Sequence, residues 1–182
     1  VLVGGAFNVR RVRRTPGMRV PGAFHGFELG LRAILGQQVS VKAATTLGGR
    51  LAETFGEKIP APFPGLDRLS PEPQALSRAK IPDIASLGVV RARATSILAL
   101  ARAHCSGDLQ LDGGSSHDPQ AMMRRLMQIP GIGPWTAHYI VMRALRWPDA
   151  FPKEDIVLRK VLGGVSARQA EEISQAWRPW RS

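Results

Sequence analysis

The chain has 182 residues, 44% of them apolar, and carries 25 Lys and Arg against 14 Asp and Glu, a formal net charge of +11 at pH 7. The apolar share supports a packed core in one sizeable domain or two small lobes, and a chain this basic points to a polyanionic partner. A lone cysteine, Cys105, excludes an intrachain disulfide and a cysteine-held metal cluster, and no apolar run approaches the roughly 18 residues of a membrane span.

Residues 1–22 read as an irregular, basic lead-in carrying Arg10, Arg11, Arg13, Arg14 and Arg19. The apolar Val1-Leu2-Val3-Gly4-Gly5 precedes these arginines, the reverse of the order in a secretory signal. The first residue is Val rather than Met, as in a fragment or processed form. A single domain is expected over 23–182. From Phe24 the pattern turns helical, with Phe27, Leu31, Ile34 and Leu35 on one face. Gly36 interrupts it. Ser40 reads as the N-cap of a helix whose face holds Ala44, Leu47, Leu51 and Phe55, stopped by Gly56.

A Pro-rich loop covers 57–67, and Ser70-Pro71-Glu72 is expected to open a short helix with Pro in its first position. A longer helix follows, with Val90, Ala94, Ile97, Leu98, Ala101 and Cys105 periodic, ending near Gly107. After a Gly- and Ser-rich stretch to residue 117, Asp118-Pro119 starts another helix with Met122, Leu126 and Ile129 inward. Helical periodicity resumes from Trp135 to Leu145 and again from Asp155 to Leu162. Ser166 with Gln169 forms a capping box for a last helix to Trp177. No segment alternates as a strand does, so the expected class is all-α. The scattered His25, His104, His117 and His138 have no zinc spacing.

The densest signal is Ile129-Pro130-Gly131-Ile132-Gly133-Pro134-Trp135-Thr136-Ala137. Two glycines two apart permit a tight turn through φ values that other residues resist. They also clear side chains from the backbone N–H groups, and the helix that follows adds its positive dipole end. Such a device grips a phosphate without reading bases. The plainer reading is an ordinary corner between two helices. Trp135 and Tyr139 are four apart and share a helix face; they form either an aromatic wall for a flipped base or part of the core. Asp155 reads as a helix N-cap or as a carboxylate able to stabilise a cationic sugar.

The hairpin string resembles the helix-hairpin-helix motif of the DNA glycosylase superfamily. Further motifs are Phe151-Pro152-Lys153-Glu154-Asp155-Ile156-Val157-Leu158-Arg159 downstream, Ala33-Ile34-Leu35-Gly36-Gln37-Gln38-Val39-Ser40 upstream and the terminal Trp177-Arg178-Pro179-Trp180-Arg181-Ser182. Together they look like the bacterial 3-methyladenine DNA glycosylase II family. The resemblance covers roughly residues 18 to 182. It implies two helical lobes with a DNA-facing cleft, and a monofunctional glycosylase that hydrolyses the N-glycosidic bond of alkylated purines in duplex DNA, initiating base excision repair. The N-terminal mixed α/β domain and the further terminal helix of that family are not in this sequence.

On the same resemblance Asp155 is the catalytic carboxylate, with Glu154 its rival. Trp135 stands where bifunctional relatives keep a Schiff-base lysine, so water is the expected nucleophile. Trp135 and Tyr139 line the base pocket. Gln37, Gln38, Pro130, Gly131, Ile132, Gly133 and Thr136 meet DNA, Gln38 matching the residue that fills the gap left by the flipped nucleotide. The backbone carbonyls of Met127, Ile129 and Ile132 could hold Na+ or K+; no other cofactor is implied. The expected partner is double-stranded DNA, met by a monomer in the cytoplasm at the nucleoid. The alternatives are a non-catalytic helix-hairpin-helix DNA-binding module, an oxidised-base or mismatch glycosylase, and an inactive truncated glycosylase. Trp135 and the lack of cluster cysteines weigh against the oxidised-base reading.

Overall fold

The computed structural model describes residues 17, 19–60, 63–112 and 118–182. Arg10, Arg11, Arg13 and Arg14 of the lead-in, and His117, lie outside the described residues. Among the described residues there is no β-strand, only an isolated antiparallel bridge between Lys58 and Arg68. The all-α expectation holds.

Helix α1 spans Gly26–Leu35 and buries Phe27, Leu31, Ile34 and Leu35, the face that the periodicity marks. Phe24 stands exposed before it. Helix α2, Val41–Phe55, is capped by Ser40, whose Oγ accepts the Ala43 N–H at 3.2 Å. The next helix begins later than expected. α3 is Pro73–Arg78, with Glu72 in the cap position and no side-chain cap bond. Pro73 supplies the reason, because a proline pushes the residue before it out of the helical region, so a helix cannot run through Glu72. A short α4, Ile81–Ala85, was not legible in the sequence. Five residues are too few for periodicity to register, although Asp83 accepts the Lys80 N–H at 2.9 Å, a local start signal.

Helix α5, Arg91–Cys105, buries Ala94, Ile97, Leu98 and Ala101, while Cys105 at its end is exposed. Asp118 caps α6, Pro119–Leu126, through the Gln120 N–H at 2.9 Å. Then come α7, Pro134–Ala144, α8, Ile156–Val161, and α9, Ala167–Ser174, which continues as a 3-10 turn, Gln175–Trp177. The Ser166–Gln169 capping box is formed in both directions, at 3.2 and 2.9 Å.

Helices α1 and α5 are the centre of the packing. α3 and α4 lie on α5, α2 lies on α1, and α7 packs on α1 and α6. One apolar cluster from Phe27 to Leu145 joins them. Ala150, Phe151 and Ala170 are buried outside that cluster, and Phe151 meets Trp177 edge-on at 6.0 Å. The α6–α7 turn is thus seated on the main core, and the loop entering α8 on a second, smaller one. No helix of the described residues is long and apolar enough to cross a membrane.

Candidate active site

The α6–α7 turn is built from below. Ile129 and Ile132 are buried beneath it, as their positions suggest. Gly131 has φ +82, and a Cβ there would lie 2.6 Å from Ser96 Oγ. Ser96 is buried in α5 and donates to the Pro130 carbonyl at 2.5 Å. Gly133 differs from the expectation that both glycines supply unusual φ values. Its φ is −87, open to any residue, and a Cβ there would meet nothing within 4 Å. The first glycine serves the turn; the second leaves open space. Pro134 opens α7 without an N–H, so Trp135 and Thr136 carry its first donors without an intrahelical partner.

The residues named for DNA contact divide in two. Pro130, Gly131 and Gly133 are exposed, whereas Ile132 and Thr136 are buried and have only backbone to offer. Gln37 turns inward: its amide donates to the Gly131 carbonyl at 3.0 Å and to Thr136 Oγ1 at 3.2 Å. Gln38 is exposed and adopts φ 54, rare for a residue with a side chain. Of the carbonyls named for a cation, Ile129's already accepts the Ile132 N–H at 3.1 Å, and Met127 occupies the C-cap of α6.

Trp135 and Tyr139 stack one turn apart on α7, with ring centroids 5.5 Å apart and planes within 7°. The Arg143 guanidinium continues this ladder, 5.9 Å from the Tyr139 ring. Trp135 is 37% exposed, so it is no core residue. Its indole N–H donates to Asp155 Oδ2 at 2.7 Å, while Asp155 Oδ1 accepts the Leu158 N–H at 2.8 Å. Asp155 is therefore the N-cap of α8, and its second oxygen is bonded to the edge N–H of the exposed indole. Glu154 is half-buried, with Oε2 buried and without a hydrogen-bond partner among the described residues. Lys153 Nζ lies 3.9 Å from Glu171.

That last contact belongs to a network that sequence reasoning missed. The Arg181 side chain, 5% exposed, pairs with both oxygens of Asp149 at 2.6 and 2.9 Å and with Glu171 at 2.9 Å. Burial alone would lower its pKa, but the hydrogen bonds and charges of Asp149 and Glu171 outweigh that and raise it. Arg178 adds a contact to Asp149 at 3.3 Å. The terminal motif thereby fastens the loop that leads to Asp155. Ser96 was missed as well, though a lone Ser among the inward residues of α5 is a usable signal.

An all-helical chain in which a tight glycine turn, an exposed Trp135 stacked on a half-buried Tyr139 and a fixed carboxylate share one face has the architecture of the helix-hairpin-helix proteins. The chain belongs to the HhH-GPD superfamily of base excision DNA repair proteins, whose model matches residues 31–181. It is 40% identical over 175 residues to the probable bifunctional transcriptional activator/DNA repair enzyme AlkA of Mycobacterium tuberculosis (strain H37Rv), spanning 94% of this chain and 34% of that protein. It is 36% identical over 181 residues to DNA-3-methyladenine glycosylase 2 of Escherichia coli (strain K12), spanning 100% of this chain and 62% of that one. The fold is shared with the 3-methyladenine DNA-glycosylase from Archaeoglobus fulgidus, with TM-score 0.71 at 23% identity, over 95% of this chain and 60% of the other. The chain thus spans about a third to three-fifths of the length of these relatives.

Proposed function

We propose that this chain is the catalytic region of a monofunctional DNA glycosylase, acting on alkylated purines of the 3-methyladenine type in duplex DNA. The observation that carries the reading is the coupling of Trp135 to Asp155, an exposed indole whose edge N–H donates to a carboxylate at 2.7 Å. The names and family of the relatives support it.

The turn at Gly131–Gly133 and the first N–H groups of α7 take a backbone phosphate, aided by the chain's net charge of +11. Na+ or K+ on the carbonyls of Met127, Ile129 and Ile132 would suit these neutral oxygen donors and add positive charge beside the phosphate. Gln38 fills the gap in the stack. The flipped purine, cationic through alkylation, stacks on Trp135, whose face attracts positive charge. As the C1′–N bond breaks, its electron pair leaves with the base. The base departs neutral and needs no acid. The Asp155 carboxylate stabilises the sugar cation. Water adds to C1′ and sheds its proton to Asp155 or to solvent. Trp135 has no amine for a Schiff base, so the product is an abasic site in an intact strand. The protein acts as a monomer, in the cytoplasm on the nucleoid.

The test is incubation with methylated duplex DNA and chromatography of the released bases. Free 3-methyladenine is expected, with the strand uncut until alkali is added and no adduct trapped by borohydride. Binding without base release would favour a non-catalytic DNA-binding module, and a trapped adduct would overturn the monofunctional reading.

Gly131→Ala forces a side chain into positive φ against Ser96, so stability falls by about 1–2 kcal/mol and duplex binding falls with it. Gly133→Ala leaves the denaturation midpoint almost unmoved but weakens duplex binding, because its methyl group enters the open space above the turn. Equal effects of the two on stability would contradict this division. Trp135→Phe keeps a ring to stack on Tyr139 but removes the N–H that holds Asp155. A hydrogen bond to a charged group contributes about 1.5–3 kcal/mol, so single-turnover base release is expected to slow by about tenfold or more. Affinity for abasic DNA should change less. A loss of affinity with an unchanged rate would mean that the indole serves only as a stacking surface.

A further inference from the structure

The strain at Gln38 is held from outside. Gln38 is exposed at φ 54, a conformation costly for any residue with a Cβ, and such residues persist where their surroundings impose them. The surroundings here are specific. Gln37, the preceding residue, donates its side-chain amide to the Gly131 carbonyl at 3.0 Å and to Thr136 Oγ1 at 3.2 Å, bridging the hairpin and the first turn of α7. The Gln37 carbonyl accepts from the Arg93 guanidinium. Three residues further along α5, Ser96 donates to the Pro130 carbonyl at 2.5 Å. Arg93 and Ser96 lie on one face of α5, as residues three apart do. One turn of α5 therefore grips both the α1–α2 break and the hairpin, and Gln37 ties the two to each other.

We propose that Gln37 is a positioning residue, which locks the α1–α2 break to the hairpin so that Gln38 and the phosphate-gripping turn meet duplex DNA as one rigid unit. This rests on the reading that this face binds duplex DNA. Gln37 itself then makes no side-chain contact with DNA. Its amide hydrogens are committed to Gly131 and Thr136, so an acid in its place sets acceptor against acceptor at the Gly131 carbonyl.

The experiment compares wild type, Gln37→Glu, Gln37→Ala, Gln38→Ala and the double variant Gln37→Ala/Gln38→Ala. Affinity is measured at one salt concentration for an intact duplex and for the same duplex with a tetrahydrofuran abasic analogue. Each Gln37 variant should lose about tenfold of the preference for the abasic duplex, beyond any weakening on the intact duplex, and the double variant should lose no more of that preference than Gln38→Ala alone. Additive losses, or equal weakening on both duplexes, would overturn the proposal. Amide hydrogen exchange of the free protein reads the lock without DNA. Gln37→Ala should speed exchange at both the 36–40 break and the 130–136 hairpin. Acceleration at neither segment, or at one alone, would also overturn it. If wild type binds neither duplex, the DNA-binding reading itself fails, and the exchange result still decides whether Gln37 locks the two segments.

Discussion

Asp155→Asn is expected to reduce base release from methylated duplex DNA by roughly a hundredfold or more, the usual cost of losing preorganised electrostatic stabilisation. The substitution is sharp because Asp155 caps α8 and, on the proposed mechanism, stabilises the sugar cation, and asparagine can keep only the cap. Asn caps helices about as well as Asp. Its carbonyl oxygen can still accept either the Leu158 N–H or the Trp135 indole N–H, which reach the carboxylate at 2.8 and 2.7 Å. The charge is lost, and with it one of the two bonds, because the amide NH2 cannot accept from the other N–H. Stability should fall by about 1–3 kcal/mol, the worth of that bond together with a carboxylate near a helix N-terminus. Affinity for abasic DNA should be nearly intact. Single-turnover kinetics with a denaturation curve on the same sample separates these effects. Undiminished release would move the catalytic role elsewhere, with Glu154 the neighbouring carboxylate. A large loss of stability would mean that the cap, rather than the chemistry, had been removed.

Arg181→Ala is expected to have the largest effect on stability. It leaves Asp149, only 14% exposed, without its two-bonded partner and frees Glu171 as well. Breaking a buried ion pair on one side costs about 3–5 kcal/mol, and Arg178, 3.3 Å from Asp149, offsets part of it, which places the expected loss at the lower end. For a chain of this size that corresponds to a fall of roughly 10 °C in the denaturation midpoint. Arg181→Lys should recover only part of it, since an ammonium cannot match the forked pairing with both Asp149 oxygens. Base release should suffer too, because Asp149 and the Glu171 partner Lys153 flank the loop that delivers Asp155. A midpoint shift under about 2 °C would show that the network behaves as an ordinary surface pair.

Local signals were readable in the residues because their physics is local. Ser40, Asp118 and Ser166 cap helices within three residues of themselves. The apolar faces of α1, α5 and α6 repeat at the helical period, and the hairpin string carries its own turn. Where local reading slipped, another local rule had prevailed: Pro73 displaced the start of α3, and α4 was too short for a period to form. Gly133 was misjudged because spacing does not report φ. Nothing local told where the Gln37 amide would bond. Its partner Gly131 is 94 residues away, Asp149 is 32 from Arg181, and Asp155 is 20 from Trp135. Such contacts depend on how whole helices settle against a shared core. That placement is a sum over many buried side chains, and no short stretch of sequence encodes it. A cap, a period or a turn can be read from a few neighbouring residues, but the bond from Trp135 to Asp155 exists only once α7 and α8 have been packed into place.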